Sequence, residues 1–328
     1  MLEPVCPSCK NNLVSGEDKY DCKICNRTYP IVFGIPDFRL DDPFFFTKEK
    51  EATAVSELTR DFHGKSYADL VEERFEKNIP EDLRAKYVNS WLRAVERNKS
   101  LLDTAERLCS EYNYNHDNSR DLLALDVGCG TGGMVVALSS KYGNVVGFDV
   151  SMESLIYAKK LLEENKCNNV KIFCSGINSL PFPDNSFDVV SASNVIEHIQ
   201  DQRGAIEEIH RVQKTGGIFF SDIPNRYTLK KEPHVNIRFV GFLPRRLAHK
   251  YVMFRRNRSY EGYNLPSYYD IINLFEPTYG VDNLKVRSFY EITDAIKKFL
   301  NIRFKHTSAI RRIGSFFCHY FFVIARNG

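Results

Sequence analysis

The stretch that most constrains this chain is LALDVGCGTGG at residues 123–133. A short apolar run ends on Asp126 and breaks into Gly128, Gly130 and Gly132, which alternate with Cys129 and Thr131. Without a Cβ at those positions, backbone N–H groups can approach a ligand closely. Gly128, Gly130 and Gly133 also satisfy G-x-G-x-x-G, so the turn alone does not separate a dinucleotide from another nucleoside ligand. It does require a strand before it and a helix after it.

The surrounding residues meet that requirement. Over residues 121–221, apolar runs of strand length alternate with segments of helical period. Strands are expected at 122–126, 144–149, 170–174, 187–193 and 218–222, the last after a Gly216-Gly217 turn. Helices are expected at 134–142, 155–165 and 205–212. Ser151 is placed to cap the second of these. This order predicts a doubly wound α/β fold with a parallel sheet and ligands outside the strands' carboxyl ends. Asp149 closes the second strand, 23 positions after Asp126. An acid there accepts hydrogen bonds from ribose hydroxyls.

Two further regions precede this one, and 328 residues are more than one domain of about 150 needs. In residues 1–40, Cys6-Pro-Ser-Cys9 and Cys22-Lys-Ile-Cys25 are separated by 12 residues. Two such turns can set four thiolates tetrahedrally around Zn²⁺, and a segment this short has too little core to fold without a clip. A saturated Cys₄ site is structural, with no open position for catalysis. Residues 41–120 read as a helical lead-in: a breaker at 41–43, an apolar anchor at 44–46, and helices over 48–61, 67–77 and 81–109. In the last, Leu83, Tyr87, Trp91, Val95 and Leu102 recur near helical spacing and are expected to be core. The polar stretch 112–120 reads as a loop.

After the fifth strand, residues 223–262 interrupt the pattern. Ten basic residues between Arg226 and Arg258 face only Glu232 and Glu261, with apolar residues interleaved. The expectation is a lid carrying a basic amphipathic helix near 244–254, its stretch 238–258 suited to an anionic substrate or a membrane surface. The chain then returns to helices at 266–275, 292–300 and 307–317 and strands at 284–289 and 320–325.

Composition narrows the field. Net charge is only +3, which does not by itself call for nucleic acid, and no apolar run is long enough for a membrane span. The first residues lack the basic and apolar regions of a secretory signal. The five cysteines outside the CxxC pairs are scattered, as expected of free thiols in a cytoplasmic protein, with association at the membrane's cytoplasmic face as a variant of that reading.

Two resemblances follow from these segments. The zinc ribbon with its YPI…GIP continuation over 29–38 resembles the family that includes the small activator subunit of tRNA and protein methyltransferases. The set LDVGCGTG, GFDVS, LPFPDNSFDVV, NVIEHI and the late GG turn resembles the class I methyltransferases that use S-adenosylmethionine (SAM), of the type 11 kind, over residues 120–328. That resemblance implies a seven-stranded Rossmann-like sheet with helices on both faces and a terminal antiparallel hairpin. It implies that Asp126, Gly128, Gly130 and Gly132 wrap the methionine end of SAM, Asp149 binds the ribose, Val150 packs on adenine, and Asn194 lies near the sulfonium. Many relatives carry an acid after the third strand for the adenine amino group. Here Gly176 stands at that position, so the backbone of Gly176 and Ile177, or Asn178, is expected to serve instead.

Transfer of a sulfonium methyl needs mainly in-line positioning and exclusion of water. A hydroxyl acceptor still benefits from a base, and His198 beside Glu197 is the nearest candidate. Pro224-Asn225-Arg226 and Glu232-Pro-His234-Val235 resemble PNR…EPHV of bacterial and archaeal O-methyltransferases of quinone and glycan type, which places Asn225, Arg226, Glu232 and His234 toward the substrate. The resemblance thus implies an acceptor hydroxyl on an anionic small molecule or a lipid-linked or phosphorylated glycan. An rRNA or tRNA acceptor, with the ribbon holding RNA, is the second reading, and a non-catalytic SAM-binding module the third. The sequence carries no sign of oligomeric state.

Overall fold

A computed structural model describes residues 2–40, 48–79, 81–114, 118–288 and 318–328. The expected anchor at 44–46 and the helices at 292–300 and 307–317 lie outside them. The described chain forms two compact units, one of residues 1–191 with 211–218 and one of 192–210 with 219–328.

The first unit begins with the ribbon, an antiparallel sheet of β1 (Val14–Ser15), β2 (Lys19–Asp21), β3 (Thr28–Val32) and β4 (Ile35–Pro36) in chain order. Helices α1 (Lys48–Asp61), α2 (Tyr67–Asn78), α3 (Glu81–Leu92) and α4 (Ala94–Glu111) make the lead-in. The single helix expected over 81–109 is two, broken at Arg93, whose backbone leaves the helical region (φ −90°, ψ 7°). Leu102 is buried as expected, and Tyr87 and Trp91 pack on Phe75, but Leu83 is exposed.

Next come the strands β5 (Leu123–Val127), β6 (Asn144–Asp149), β7 (Val170–Cys174) and β8 (Phe187–Ser191). β5 pairs in parallel with β6 and β8, and β6 with β7. Helices α5 (Gly133–Ser139) and α6 (Met152–Glu164) follow β5 and β6, and every residue of α5 is buried. Gly133 explains part of that burial: a Cβ there would meet Ala94 and Asn98 of α4, so the missing side chain lets the lead-in press against α5. The ribbon is likewise fastened to the domain. Asp37 bridges Cys174 in parallel, Phe38 N–H donates to Cys174 O at 2.7 Å, and Lys10 Nζ donates to Leu180 O at 3.0 Å.

The second unit contains α7 (Gln202–Val212) up to His210, the end of β9 (Gln213–Pro224), α8 (Arg245–Arg256), α9 (Tyr268–Tyr279), and the antiparallel hairpin of β10 (Leu284–Ser288) and β11 (Tyr320–Arg326). The segment 223–262 has its own small core. Ala248 and Val252, one turn apart on α8, pack with Val235, Ile237 and Val240. β9 starts five residues earlier than expected and runs through Gly216-Gly217. Gly216 has φ +79°, and Gln213 Nε2 caps Gly217 O at 2.6 Å. The seven strands form one mixed sheet of order β10-β11-β9-β8-β5-β6-β7. Strands buried on both faces read as continuous apolar runs, which is why β5, β6 and β8 stood out in the sequence.

Candidate functional site

In the first unit the glycine turn has the geometry its residues require. Gly128, Gly130 and Gly132 have φ of +64°, +50° and +87°, a region that disfavours any residue with a Cβ. Asp149 holds the turn from the next strand. Its Oδ2 accepts Gly130 N–H at 2.8 Å and its Oδ1 accepts Ser151 N–H at 2.8 Å. Ser151 in turn caps α6. Burial raises the Asp149 pKa against those hydrogen bonds.

Asp126 is the more telling residue. It is buried, and its Oδ1 accepts Ser191 Oγ at 2.6 Å, while its Oδ2 has no partner. Burial, with Asp149 adding to it, pushes its pKa up to about 7. A buried oxygen left without a donor is costly unless a ligand supplies one. The ammonium of an amino-acid end is such a donor, so these residues fit SAM: Asp126 for the ammonium, the glycine turn for the methionine end, Asp149 for the ribose. Val150 is half-buried, and its carbonyl accepts Arg39 Nη1 at 3.1 Å. Gly176 has an ordinary φ of −82°, and a Cβ there would meet nothing within 4 Å, so the absent acid is not excluded by space. Ile177 opens the short turn Ile177–Ser179.

The sequence reading missed how this half is wired. Arg39, from the end of the ribbon, pairs with Asp37 at 2.8 Å and Glu51 of α1 at 2.9 Å, all three side chains being at most 5% exposed. Glu51 Oε1 accepts Ser151 Oγ and Glu153 N–H, both at 3.0 Å. Ribbon, lead-in and the α6 cap beside Asp149 therefore share one buried charge network. Isolated charges 12 residues apart carry no periodic signal that could have announced it.

The ribbon's four sulfurs lie within 4.8 Å of one another, with Cys6–Cys25 at 3.5 Å and Cys9–Cys22 at 3.4 Å. Thiolates at about 2.3 Å from a tetrahedral Zn²⁺ stand at comparable separations. The Tyr29 hydroxyl reaches Cys6 Sγ at 3.1 Å, an outer-shell contact of the kind that steadies a ligand.

The second unit gathers most of the expected acceptor-side residues. Glu197 sits on the short turn Ile196–His198, pinned by Asn264 N–H on Glu197 O at 2.7 Å and by Gln202 Nε2 on Ile196 O at 2.8 Å. Its carboxylate is buried with neither oxygen hydrogen-bonded. Burial, with Asp222 and Glu232 adding to it, pushes its pKa up to about 8. His234 Nε2 faces Glu197 Oε1 at 3.7 Å and His198 Nε2 at 3.9 Å faces the same oxygen. Glu232, itself buried, accepts His234 Nδ1 at 2.5 Å and the N–H groups of His234 and Val235. Tyr263, which nothing in the sequence marked, packs at a tilt against His234 at 4.4 Å and lies 5.2 Å from the His198 ring. Close packing, then His234, pulls the His198 pKa down to about 4, so its imidazole is neutral near pH 7.

Tyr263 also lines a cavity of about 700 Å³ under α8, together with Leu243, Tyr260, Arg226, Arg246, Lys250 and Glu261. Arg226 donates to Gly241 O at 3.0 Å. Asn225 does not join this group. It is fully buried, and its side chain serves Cys318 O and Tyr227 N–H, so it shapes the strand end instead of meeting a substrate. Asn194 lies in this unit too, with φ +53° and its Nδ2 on Asp222 Oδ2 at 2.9 Å.

A parallel sheet closed by an antiparallel hairpin, a glycine turn after β5 and an acid ending β6 define a SAM-dependent methyltransferase. The sequence comparisons agree. Residues 125–221 match the methyltransferase domain family. A demethylmenaquinone methyltransferase of Staphylococcus aureus is 31% identical over 176 residues, 51% of this chain and 70% of that protein. An uncharacterized methyltransferase of Schizosaccharomyces pombe is 39% identical over 118 residues, 33% of this chain and 42% of its own length. The chain thus spans less than half of the first curated relatives it matches. Among solved structures, a phosphoethanolamine N-methyltransferase of Haemonchus contortus with SAM aligns at 20% identity and a TM-score of 0.47, over 80% of this chain and 60% of that one. The chain belongs to the class I SAM-dependent methyltransferases.

Proposed function

We propose that this methyltransferase moves the methyl group of SAM to a hydroxyl of an anionic acceptor, a small molecule or a phosphorylated or lipid-linked glycan. The observation that carries the acceptor class is the cavity of about 700 Å³ under α8, whose lining combines apolar residues with Arg226, Arg245, Arg246 and Lys250 against the single acid Glu261. Arg226, Arg246 and Lys250 suit a phosphate or carboxylate, and Tyr260, Tyr263 and Leu243 suit the apolar body attached to it.

SAM, when bound, supplies an electrophilic methyl group. The chain's own residues hold and orient it: Asp126 and the glycine turn at its amino-acid end, Asp149 at the ribose, and the backbone of Gly176 and Ile177 at the adenine. Activation of the acceptor hydroxyl is assigned to the cluster of Glu197, His198 and His234, with Glu232 fixing the His234 tautomer. The ribbon's Cys6, Cys9, Cys22 and Cys25 are assigned one structural zinc.

The exposed face of α8 supports a further part of this reading. Leu247, Met253 and Phe254 are exposed, Phe254 at 87%, beside Arg246, Lys250 and Arg255. An apolar ridge flanked by bases suits a membrane surface bearing anionic lipid, where a lipid-linked acceptor would be found. No helix among the described residues is long and apolar enough to cross a membrane.

The test is transfer of labelled methyl from SAM to cell extract divided into lipid, glycan, small-molecule, protein and RNA fractions. Label in the lipid, glycan or small-molecule fraction that charge reversal at Arg246 and Lys250 lowers supports the proposal. Label confined to RNA or protein overturns it.

A further inference from the structure

The acceptor-side cluster contains an arrangement that hydrogen bonding within the chain does not satisfy. Glu232 Oε1 accepts from His234 Nδ1 at 2.5 Å, so the Nδ1–H tautomer is fixed and the lone pair of His234 lies on Nε2. That lone pair faces Glu197 Oε1 at 3.7 Å, beyond hydrogen-bond range. His198 Nε2 turns toward the same oxygen at 3.9 Å. Glu197 is completely buried, and neither of its oxygens has a donor. A buried carboxylate and two imidazole nitrogens thus converge on one point, all three ligand atoms within 4.8 Å of one another. A buried carboxyl with no hydrogen-bond partner calls for a ligand, and two ring nitrogens face the same oxygen.

We propose that Glu197, His198 and His234 bind a divalent first-row transition cation. Bond lengths of about 2.0–2.2 Å put ligand atoms about 3.4 Å apart in a tetrahedral set, so the two imidazole nitrogens, 3.7 and 3.9 Å from Glu197 Oε1, close on that oxygen by a few tenths of an ångström. Two imidazoles and one carboxylate form a borderline N,O set that suits zinc, iron(II) or cobalt(II), whereas magnesium and calcium prefer oxygen alone. Glu232 completes the carboxylate–histidine–metal relay that orients a ligating imidazole. Three protein ligands leave at least one position open, which distinguishes this site from the saturated ribbon. At that position the cation takes the acceptor oxygen and lowers the pKa of its hydroxyl, which then loses its proton to solvent before the carbon–oxygen bond forms. This last role rests on the proposed transfer to a hydroxyl; the binding of the cation does not.

Cobalt(II) tests it on the full chain, because thiolate charge-transfer absorption reports ribbon-bound cobalt separately from total cobalt. Total cobalt is expected to exceed thiolate-bound cobalt by one per chain in the wild type and by none in His234→Ala and His198→Asn. His198 is the most exposed of the three ligands, so its replacement disturbs packing least. Glu232→Gln is expected to weaken the second site about tenfold while keeping it. No excess cobalt in the wild type overturns the proposal, and so does an excess that survives in both histidine variants. Since the count needs no acceptor, it stands apart from any failure of the methyl-transfer assay.

Discussion

Two buried carboxylates, one in each unit, invite comparison. Asp126 has one oxygen satisfied by Ser191 and one left open, whereas Glu197 has both open. Burial pushes both upward, Asp126 to about 7 and Glu197 to about 8. The difference lies in what faces the open oxygens. Beside Asp126 is the glycine turn, whose Gly128, Gly130 and Gly132 carry no side chains. Around Glu197 are two imidazoles, with a tyrosine packed against one of them, which present ring nitrogens to its oxygen. An unpaired buried carboxyl is thus informative only together with its neighbours: the first suits a cofactor's charged end, the second a cation.

The largest expected effect falls on the Asp126 side alone. Arg39→Ala leaves Asp37 and Glu51 buried without their cation, which is expected to cost about 3–5 kcal/mol of stability. Thermal unfolding reads that loss, while cobalt binding at the Glu197 cluster in the folded variant is expected to hold. Loss of both together would mean that the two sides are not separable. Next, Asp149→Ala removes the acceptor for Gly130 and Ser151 and the expected ribose contact. SAM affinity by calorimetry should fall about 100-fold, the equivalent of two charge-assisted hydrogen bonds.

A smaller effect comes from pH. Without ligand, folded Asp126 keeps its proton up to about pH 7, while the unfolded chain loses it near 3.8, so this group's contribution to stability falls as pH rises between those values. The ammonium of SAM needs the carboxylate, so binding expels that proton. Affinity should therefore climb up to about tenfold per pH unit below 7 and level off above it. Asp126→Asn should flatten the climb; an unchanged slope would place the proton elsewhere. The smallest effect belongs to the lid. Reversing Arg246 and Lys250 should raise KM for an anionic acceptor about tenfold, more at low salt, and leave SAM affinity alone.

How much of this was legible depended on the range of the interactions. β5, β6 and β8 are short apolar runs, and the glycine turn is contiguous in sequence, so the first site could be read almost residue by residue. Helix ends moved by a few positions because caps such as Ser267 with Asp270 are decided by side-chain geometry. The helix break at Arg93 left no local mark. Glu197, His198, Glu232 and His234 were singled out, but their convergence was not, since some 35 residues of chain separate the two pairs. Tyr263 and the Arg39–Glu51 pair were invisible because each acquires its role only from distant partners. Asn225 misled because a polar residue beside a motif can serve its own backbone as readily as a ligand.

The bridge from Asp37 to Cys174 has one more consequence. β7 is the outermost strand at its end of the sheet, and such a strand ordinarily offers unpaired amides and carbonyls to any passing chain. The ribbon occupies that margin and pairs with Cys174. If the ribbon unravels, the protein does not merely shed an ornament. It exposes an adhesive border, so the first symptom of a damaged ribbon would be clumping between molecules, ahead of any failure at the glycine turn.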